Sequence, residues 1–147
     1  MRIRKLKKKD FFLLNGMDWT PLPKERDSIY LFISVDHADC SFVAEEEGKF
    51  LGVILGTGSP DGKSIYVNHF LVEKDTRKSG VGKKLLAHFE RNARKRGVKR
   101  IWLLCFDELI AYYTEKGYRE NYSFLTPEIK KYLRRVKGVR AFIKELD

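Results

Sequence analysis

The chain has 147 residues, 43% hydrophobic and 34% charged, with 30 lysines and arginines against 20 acids and a net charge of +10. That length suits a single domain that buries roughly two-thirds of its unfolded surface without a disulfide or metal staple. The longest apolar runs, near IYLFISV and SFVA, are far short of a bilayer span, and FFLLNGMDW behind the basic N-terminus is too short for a signal peptide.

Two cysteines, Cys40 and Cys105, without a CxxC spacing, predict reduced thiols and a cytoplasmic location. Three scattered histidines argue against a zinc site. The positive charge has two readings. One is an anionic partner such as nucleic acid or a phosphate-rich cofactor. The other is a heavily charged surface suited to heat, consistent with the absence of glutamine and only four asparagines. The second covers the surface as a whole but not charge gathered at one loop.

In chain order, residues 1–7 read as a short edge strand whose lysines discourage further pairing. Asp10 is placed to cap a short helix, FFLLNGM, which Gly16 stops. After Pro21 and Pro23, helical spacing of Ile29, Phe32 and Ile33 predicts a second helix over 24–36. SFVAEEE and FLGVILGTG then form a hairpin, and SIYVNHFLVE, after the SPDG turn, is the longest strand. From Val81, apolar residues at 81, 85, 86, 89 and 93 make an amphipathic helix that ends at Gly97. VKRIWLLCF is a strand buried on both faces, and DELIAYYTEK a helix capped by Asp107 and closed by Gly117. YRENYSF reads as a strand, residues 127–136 as a helix with Pro127 in its first turn, and VRAFIKEL as the closing strand. The sum is one α+β domain over 1–147. Its mixed, mostly antiparallel sheet carries helices on both faces, and strands 64–73 and 98–106 are parallel across the helix between them.

The stretch Arg77-Lys78-Ser79-Gly80-Val81-Gly82-Lys83 lies between a strand and a helix start. Amides of a helix N-terminus have no internal partner, and the helix dipole adds positive potential there. Glycines let a phosphate approach the backbone, and flanking cations strengthen the site. The stretch therefore reads as a pyrophosphate cradle. It is not a P-loop, because position 77 is Arg and Lys84 stands where Ser or Thr is needed. Nor is it a dinucleotide fingerprint, since position 85 is Leu.

The pattern Arg-x-x-Gly-x-Gly resembles the acetyl-CoA signature of the GNAT superfamily of N-acetyltransferases. Phe70-Leu71-Val72 and four further residues precede it, as in that family, although Lys78 replaces the first glycine. Downstream, Tyr112-Tyr113-Thr114-Glu115-Lys116-Gly117-Tyr118 is similar to the family's aromatic-glycine-aromatic motif, with the lysine moved by one place. Phe106 takes the place of a cofactor-contacting asparagine common in the family. The helix at 127–136 is an addition between the last two strands.

The resemblance implies acetyl-CoA as co-substrate and a primary amine as acceptor, with the chain a monomer or homodimer and no membrane or nucleic-acid partner. It implies cofactor binding by Phe70, Leu71, Val72, Arg77, Lys78, Ser79, Gly80, Val81, Gly82 and Lys83. Backbone at Leu71 or Val72 would donate to the thioester oxygen where the two parallel strands part, with the cofactor's arm lying in the gap. Tyr113 would protonate the leaving sulfur, while its neighbour Tyr112 fits core packing. For the base, His69 has the right intrinsic pKa, yet strand alternation groups it with Ile65, Val67 and Leu71 on a core face. Asn15, Met17, Asp18 and Trp19 would line the acceptor site, with Asp18 available to a cationic amine. Two alternatives stand beside this reading: a basic nucleic-acid-binding module, and a catalytically degenerate CoA-binding regulator.

Overall fold

The computed structural model describes residues 1–77 and 79–147. Among these, the elements in chain order are β1 (Arg2–Lys5), α1 (Phe11–Gly16), α2 (Asp27–Asp36), β2 (Phe42–Glu46), β3 (Lys49–Gly58), β4 (Ser64–Val72), α3 (Val81–Lys95), β5 (Arg100–Phe106), α4 (Ile110–Glu115), β6 (Arg119–Glu120), α5 (Pro127–Arg135) and β7 (Val139–Glu145). The strands form one sheet in the order β1-β2-β3-β4-β5-β7-β6. All neighbours are antiparallel except β4 and β5.

Two expected elements are shorter than their sequence patterns. The helix expected from residue 24 begins at Asp27, because Pro23 and the extended Arg26 keep the chain open before it. The strand expected over 118–124 is only Arg119–Glu120, paired to Ile143 and Phe142 at the outer edge of β7. Two expected caps are also employed elsewhere. The Asp10 carboxylate accepts from Lys7 N–H at 2.7 Å and forms an ion pair with Arg4 at 2.8 Å, and Asp107 pairs with Arg140 at 3.3 Å.

Helices cover the two faces unequally. On one face, Leu85, Leu86 and Phe89 of α3 pack over Ile54, Ile65 and Ile101. On the other, Trp19, Tyr30 and Ile33 pack over Val43, Val53 and Leu55, and no residue of β5 or β7 belongs to this second core.

Strict alternation fails in β4. Leu55 pairs with His69, but the next residue, Gly56, pairs with Val67, leaving Asn68 as an extra residue. A one-residue bulge flips every later side chain to the opposite face. Ile65 and Val67 therefore join the α3 core, whereas His69 and Leu71 lie on the α1–α2 face, where His69 meets Trp19 at 4.8 Å and Leu71 enters the second core. Phe70 and Val72 in turn pack on the α3 side. This overturns the grouping of His69 with Ile65 and Val67.

The charged centre beneath α3 ties three elements together. Glu90, 8% exposed, accepts from the Tyr118 hydroxyl at 2.8 Å and from Lys144 Nζ at 3.1 Å. Lys144 also donates to the Lys116 carbonyl at the end of α4 at 2.8 Å. Removing one partner of such a buried pair leaves the other charge uncompensated, so Glu90→Ala should lower unfolding stability by about 3 kcal/mol in a urea titration. Glu90→Gln, which keeps an acceptor, should lose less.

Candidate functional site: a cleft where two parallel strands part

The ladder between β4 and β5 holds only three pairs, Ser64↔Arg100, Ile65↔Ile101 and Tyr66↔Trp102. Past Tyr66, β4 stays with β3 as far as Val72, while β5 follows β7 as far as Phe106. A bulge bends the strand that carries it and increases its local twist, and the bulge residue Asn68 lies two residues past the last β4–β5 pair, Tyr66↔Trp102. Backbone groups on the two inner edges are thereby left without a strand partner.

Which amides face the opening follows from the ladder. Glu73 N–H donates to the Leu51 carbonyl at 2.7 Å. Alternation along β4 then turns the Leu71 N–H toward β3 as well, and the Phe70 and Val72 N–H groups toward the gap. Of the two expected donors, Val72 has its N–H on the open side.

The second half of the site is the start of α3. Gly80 is its N-cap, in the left-handed conformation at φ +89°, and offers no side-chain cap. The first intrahelical bond runs from Lys84 N–H to the Gly80 carbonyl at 3.1 Å, so the amides of Val81, Gly82 and Lys83 carry no helix bond. Gly82 is needed for a different reason. A Cβ there would lie 3.3 Å from Val72 Cγ2, 3.6 Å from the Phe70 ring and 3.7 Å from the Tyr112 hydroxyl, closing the approach between helix and strand.

Between these two parts lies a cleft of about 460 Å³, lined by Phe70, Leu71, Val72, Arg77, Gly80, Gly82, Lys83 and Tyr113, all expected from the sequence. Pro21, Leu22, Leu109 and Tyr112 line it too and were not expected. Tyr112 both packs against the α3 core and lines the cleft, and adjacency to Tyr113 is its only signal in the sequence. Pro21 and Leu22 carried no signal, because the chain brings them in from a distant loop. A second hollow of about 490 Å³, at Met1, Arg2 and residues 45–48, lies at the outer edge of the sheet, away from the opening.

Some expected residues serve the site indirectly. Arg77 Nε donates to the Val72 carbonyl at 3.0 Å and Nη2 to the Thr20 carbonyl at 3.4 Å, bracing the loop against the cleft wall. The Ser79 hydroxyl donates to the Thr76 carbonyl. Val81 is buried in the α3 core, so only its backbone is available. Lys78 lies outside the described residues. Phe106 ends β5, 36% exposed. Asp18 is exposed and accepts from Thr20 N–H at 3.0 Å, within its own turn.

Tyr113 is 6% exposed and reaches the cleft from α4. Its main chain is fixed by the helix end: Tyr118 N–H donates to the Tyr113 carbonyl at 3.0 Å and Gly117 N–H to Thr114 at 3.1 Å, with Gly117 at φ +93°. This is a Schellman closure, and the rings of Tyr113 and Tyr118, 5.6 Å apart, form its apolar contact. The spaced tyrosines and glycine of the sequence motif are thus a helix terminator that holds one tyrosine in the cleft. Burial pushes the Tyr113 hydroxyl well above its usual pKa, with the nearby Tyr112 and Cys105 adding to the effect. It keeps its proton at neutral pH.

His69 is buried beside the bulge. Its Nε2 lies 3.3 Å from the Pro23 carbonyl, which can only accept, so the neutral ring carries its proton on Nε2. Nδ1 is then a lone-pair acceptor, buried and without a partner among the described residues. Burial, the largest influence, lowers the imidazole pKa below 6.5. The thiols offer no nucleophile: burial, with help from Asp107, pushes Cys105 up to about 11, and burial raises Cys40 as well.

A seven-stranded mixed sheet whose two parallel strands part beside a glycine-started helix is the architecture of acyl-CoA N-acyltransferases. The sequence profile of the acetyltransferase (GNAT) family matches residues 2–118. The chain belongs to that family. No curated protein sequence matches the chain. Among solved structures, it is similar to Ard1 from Thermoplasma volcanium (18% identity, TM-score 0.79, 99% of this chain and 97% of that one). It is also similar to the ribosomal-protein-S18-alanine N-acetyltransferase from Escherichia coli (17% identity, TM-score 0.76, 99% and 94%). N-acetylglutamate synthase from Neisseria gonorrhoeae, complexed with coenzyme A and N-acetyl-glutamate, shares 20% identity at a TM-score of 0.78. The chain aligns over 99% of its own length there but spans only 35% of the synthase. At these identities the likeness concerns the fold.

Acetyl-CoA should raise the melting temperature, because it binds only the folded form. Gly82→Asp should abolish that shift by placing bulk and negative charge at the helix start. A folded Gly82→Asp protein with unchanged coenzyme A affinity, measured by calorimetry, would remove the helix start from the cofactor site.

Proposed function

We propose that the 147 residues act as one N-acetyltransferase domain that moves the acetyl group of acetyl-CoA directly to a primary amine, in the cytoplasm. The observation that carries this reading is the cleft itself. It joins three helix amides and a Val72 N–H that have no hydrogen-bond partner among the described residues with a buried, protonated tyrosine in one space.

The amides of Val81, Gly82 and Lys83 bind the pyrophosphate, with Lys83 adding charge and Arg77 holding the loop in shape. The coenzyme arm lies in the strand opening, where the unpaired edges of β4 and β5 satisfy its amides. The Val72 N–H donates to the thioester oxygen, where negative charge develops as the amine attacks. The amine nitrogen forms a bond to the carbonyl carbon, the carbon–sulfur bond breaks, and the Tyr113 hydroxyl gives its proton to the departing sulfur. His69 Nδ1 takes the proton that the amine loses, directly or through one water. Bringing the two reactants together across the strand opening supplies much of the acceleration, and no covalent enzyme adduct is needed.

Tyr113→Phe should slow turnover by about 10²-fold, the low end for a general acid because a thiolate leaves readily, while acetyl-CoA affinity stays within a few-fold. A variant that matches the parent rate when chemistry limits would reassign Tyr113 to packing. The pH profile tests His69. Its neutral form is the active one, protonation removes the lone pair, and burial lowers its pKa. The acid limb of kcat/KM should therefore lie below 6.5, the ordinary imidazole value. It should vanish in His69→Gln along with most of the activity.

A further inference from the structure

The helix α2 is apolar on both sides. Tyr30 and Ile33 face the sheet, while Leu31, Phe32 and Val35, each close to half exposed, form a second stripe on the outer side. A surface helix ordinarily buries one apolar stripe and turns charge outward, so α2 has a side left to cover. Two carboxylates border that stripe. At about 3.6 residues per turn, Asp27 falls on one side of it and Asp36 on the other. Within α2 there is no cation, although Lys24 and Arg26 precede it. The helix α5 has the opposite character. Its Leu133 is buried, but Ile129 and Tyr132 are exposed, with Lys131, Arg134 and Arg135 exposed around them and Glu128 as the only acid. Neither set of charges is spent within the chain: Asp27, Asp36, Lys131, Arg134 and Arg135 form no ion pair with any described residue.

Both helices belong to the same face of the sheet. α2 packs over Val43, Val53 and Leu55 of β2 and β3. Along β4, Ile65 and Val67 enter the α3 core, and along β5 so do Ile101, Leu103 and Cys105, so Tyr66 and Trp102 point to the α2 side. Their rings lie 4.5 Å apart, and Phe124 stands 5.2 Å from Trp102, three residues before α5 begins. The Arg100 guanidinium lies 5.4 Å from the Phe124 ring. Across this face the order is therefore α2, Tyr66, Trp102, Phe124 and the entry to α5. The three aromatic side chains are half-buried, and neither hydrophobic core includes them. Trp, Tyr and Arg are the residue types that concentrate binding energy at the centre of protein interfaces.

We propose that this face joins two copies of the chain about a twofold axis, with α2 of each copy against α5 of the other. Leu31, Phe32 and Val35 pack on the partner subunit's Ile129 and the partner subunit's Tyr132. Asp27 and Asp36 meet the cations that border them, and the aromatic strip lies at the centre. A seam of α2 on the partner's α2 would gather four carboxylates around one apolar stripe, and like charges opposed across an interface are costly. The twofold axis applies the α2–α5 contact twice and closes the assembly at a dimer.

Sedimentation equilibrium of the full chain should give twice the chain mass at micromolar concentration. Phe32→Glu, on the exposed stripe, should give a monomer with the circular dichroism of the parent. Reversing the charges of one helix, Asp27→Lys with Asp36→Lys or Lys131→Glu with Arg135→Glu, should raise the dimer dissociation constant about tenfold or more. Mixing these two double variants should restore the dimer, because opposite charges then meet at both α2–α5 contacts. The mixture alters exposed charges only, and it decides the matter by itself should Phe32→Glu fail to fold. A monomeric parent, a dimer that survives Phe32→Glu, or a mixture no tighter than its separate components overturns the proposal. So does tighter self-association of the Asp27→Lys, Asp36→Lys chain, which would place α2 against α2.

Discussion

The site depends on one extra residue in one strand. With Asn68 unpaired, β4 bends, its later side chains change faces, and its ladder to β5 stops after three pairs. A continuous ladder would consume the amides of both inner edges and leave no room between them. The same bulge sends Phe70 and Val72 toward α3 and His69 toward Trp19 and Tyr30, so cofactor and acceptor chemistry are separated onto two faces of one strand. The cost is visible nearby: Asn68 Oδ1 and His69 Nδ1 are both buried without partners among the described residues. Such groups cost stability in an inert interior.

Around that opening the remaining parts act as clamps. α3 carries its unfilled amides to the mouth of the cleft, and Glu90 in the same helix binds Tyr118 and Lys144, fixing the end of α4. Because Tyr113 precedes Tyr118 in one Schellman closure, the buried ion cluster and the cleft tyrosine are mechanically joined. The loop before α3 is fastened from the other side by Arg77, whose guanidinium spans the Val72 and Thr20 carbonyls. A cation read as a phosphate ligand thus also serves as a strut between the acceptor-side segment and the cofactor-side strand.

Charge is organised on a smaller scale than the net value suggests. Arg77 and Lys83 line the helix start, where the dipole already favours an anion.

The order of elements, the amphipathic α3, the glycines at its start and the Tyr113–Gly117–Tyr118 spacing were all legible in the sequence. Each is a local requirement: helical period, a left-handed cap, a helix terminator. They sufficed to locate eight of the residues that line the cleft and to indicate the family. Three things were not legible. The face on which His69 lies depended on a bulge that leaves no mark in a sequence alternating as cleanly as SIYVNHFLV. The choice of Val72 over Leu71 as the open amide depended on which residues bond β3, a matter of register. Pro21 and Leu22 reach the cleft, and Tyr66, Trp102 and Phe124 meet one another, only through long-range pairing that sets the strand order. Local chemistry is written in short spacings, whereas register and strand order are set by long-range pairing, and only the folded chain contains them.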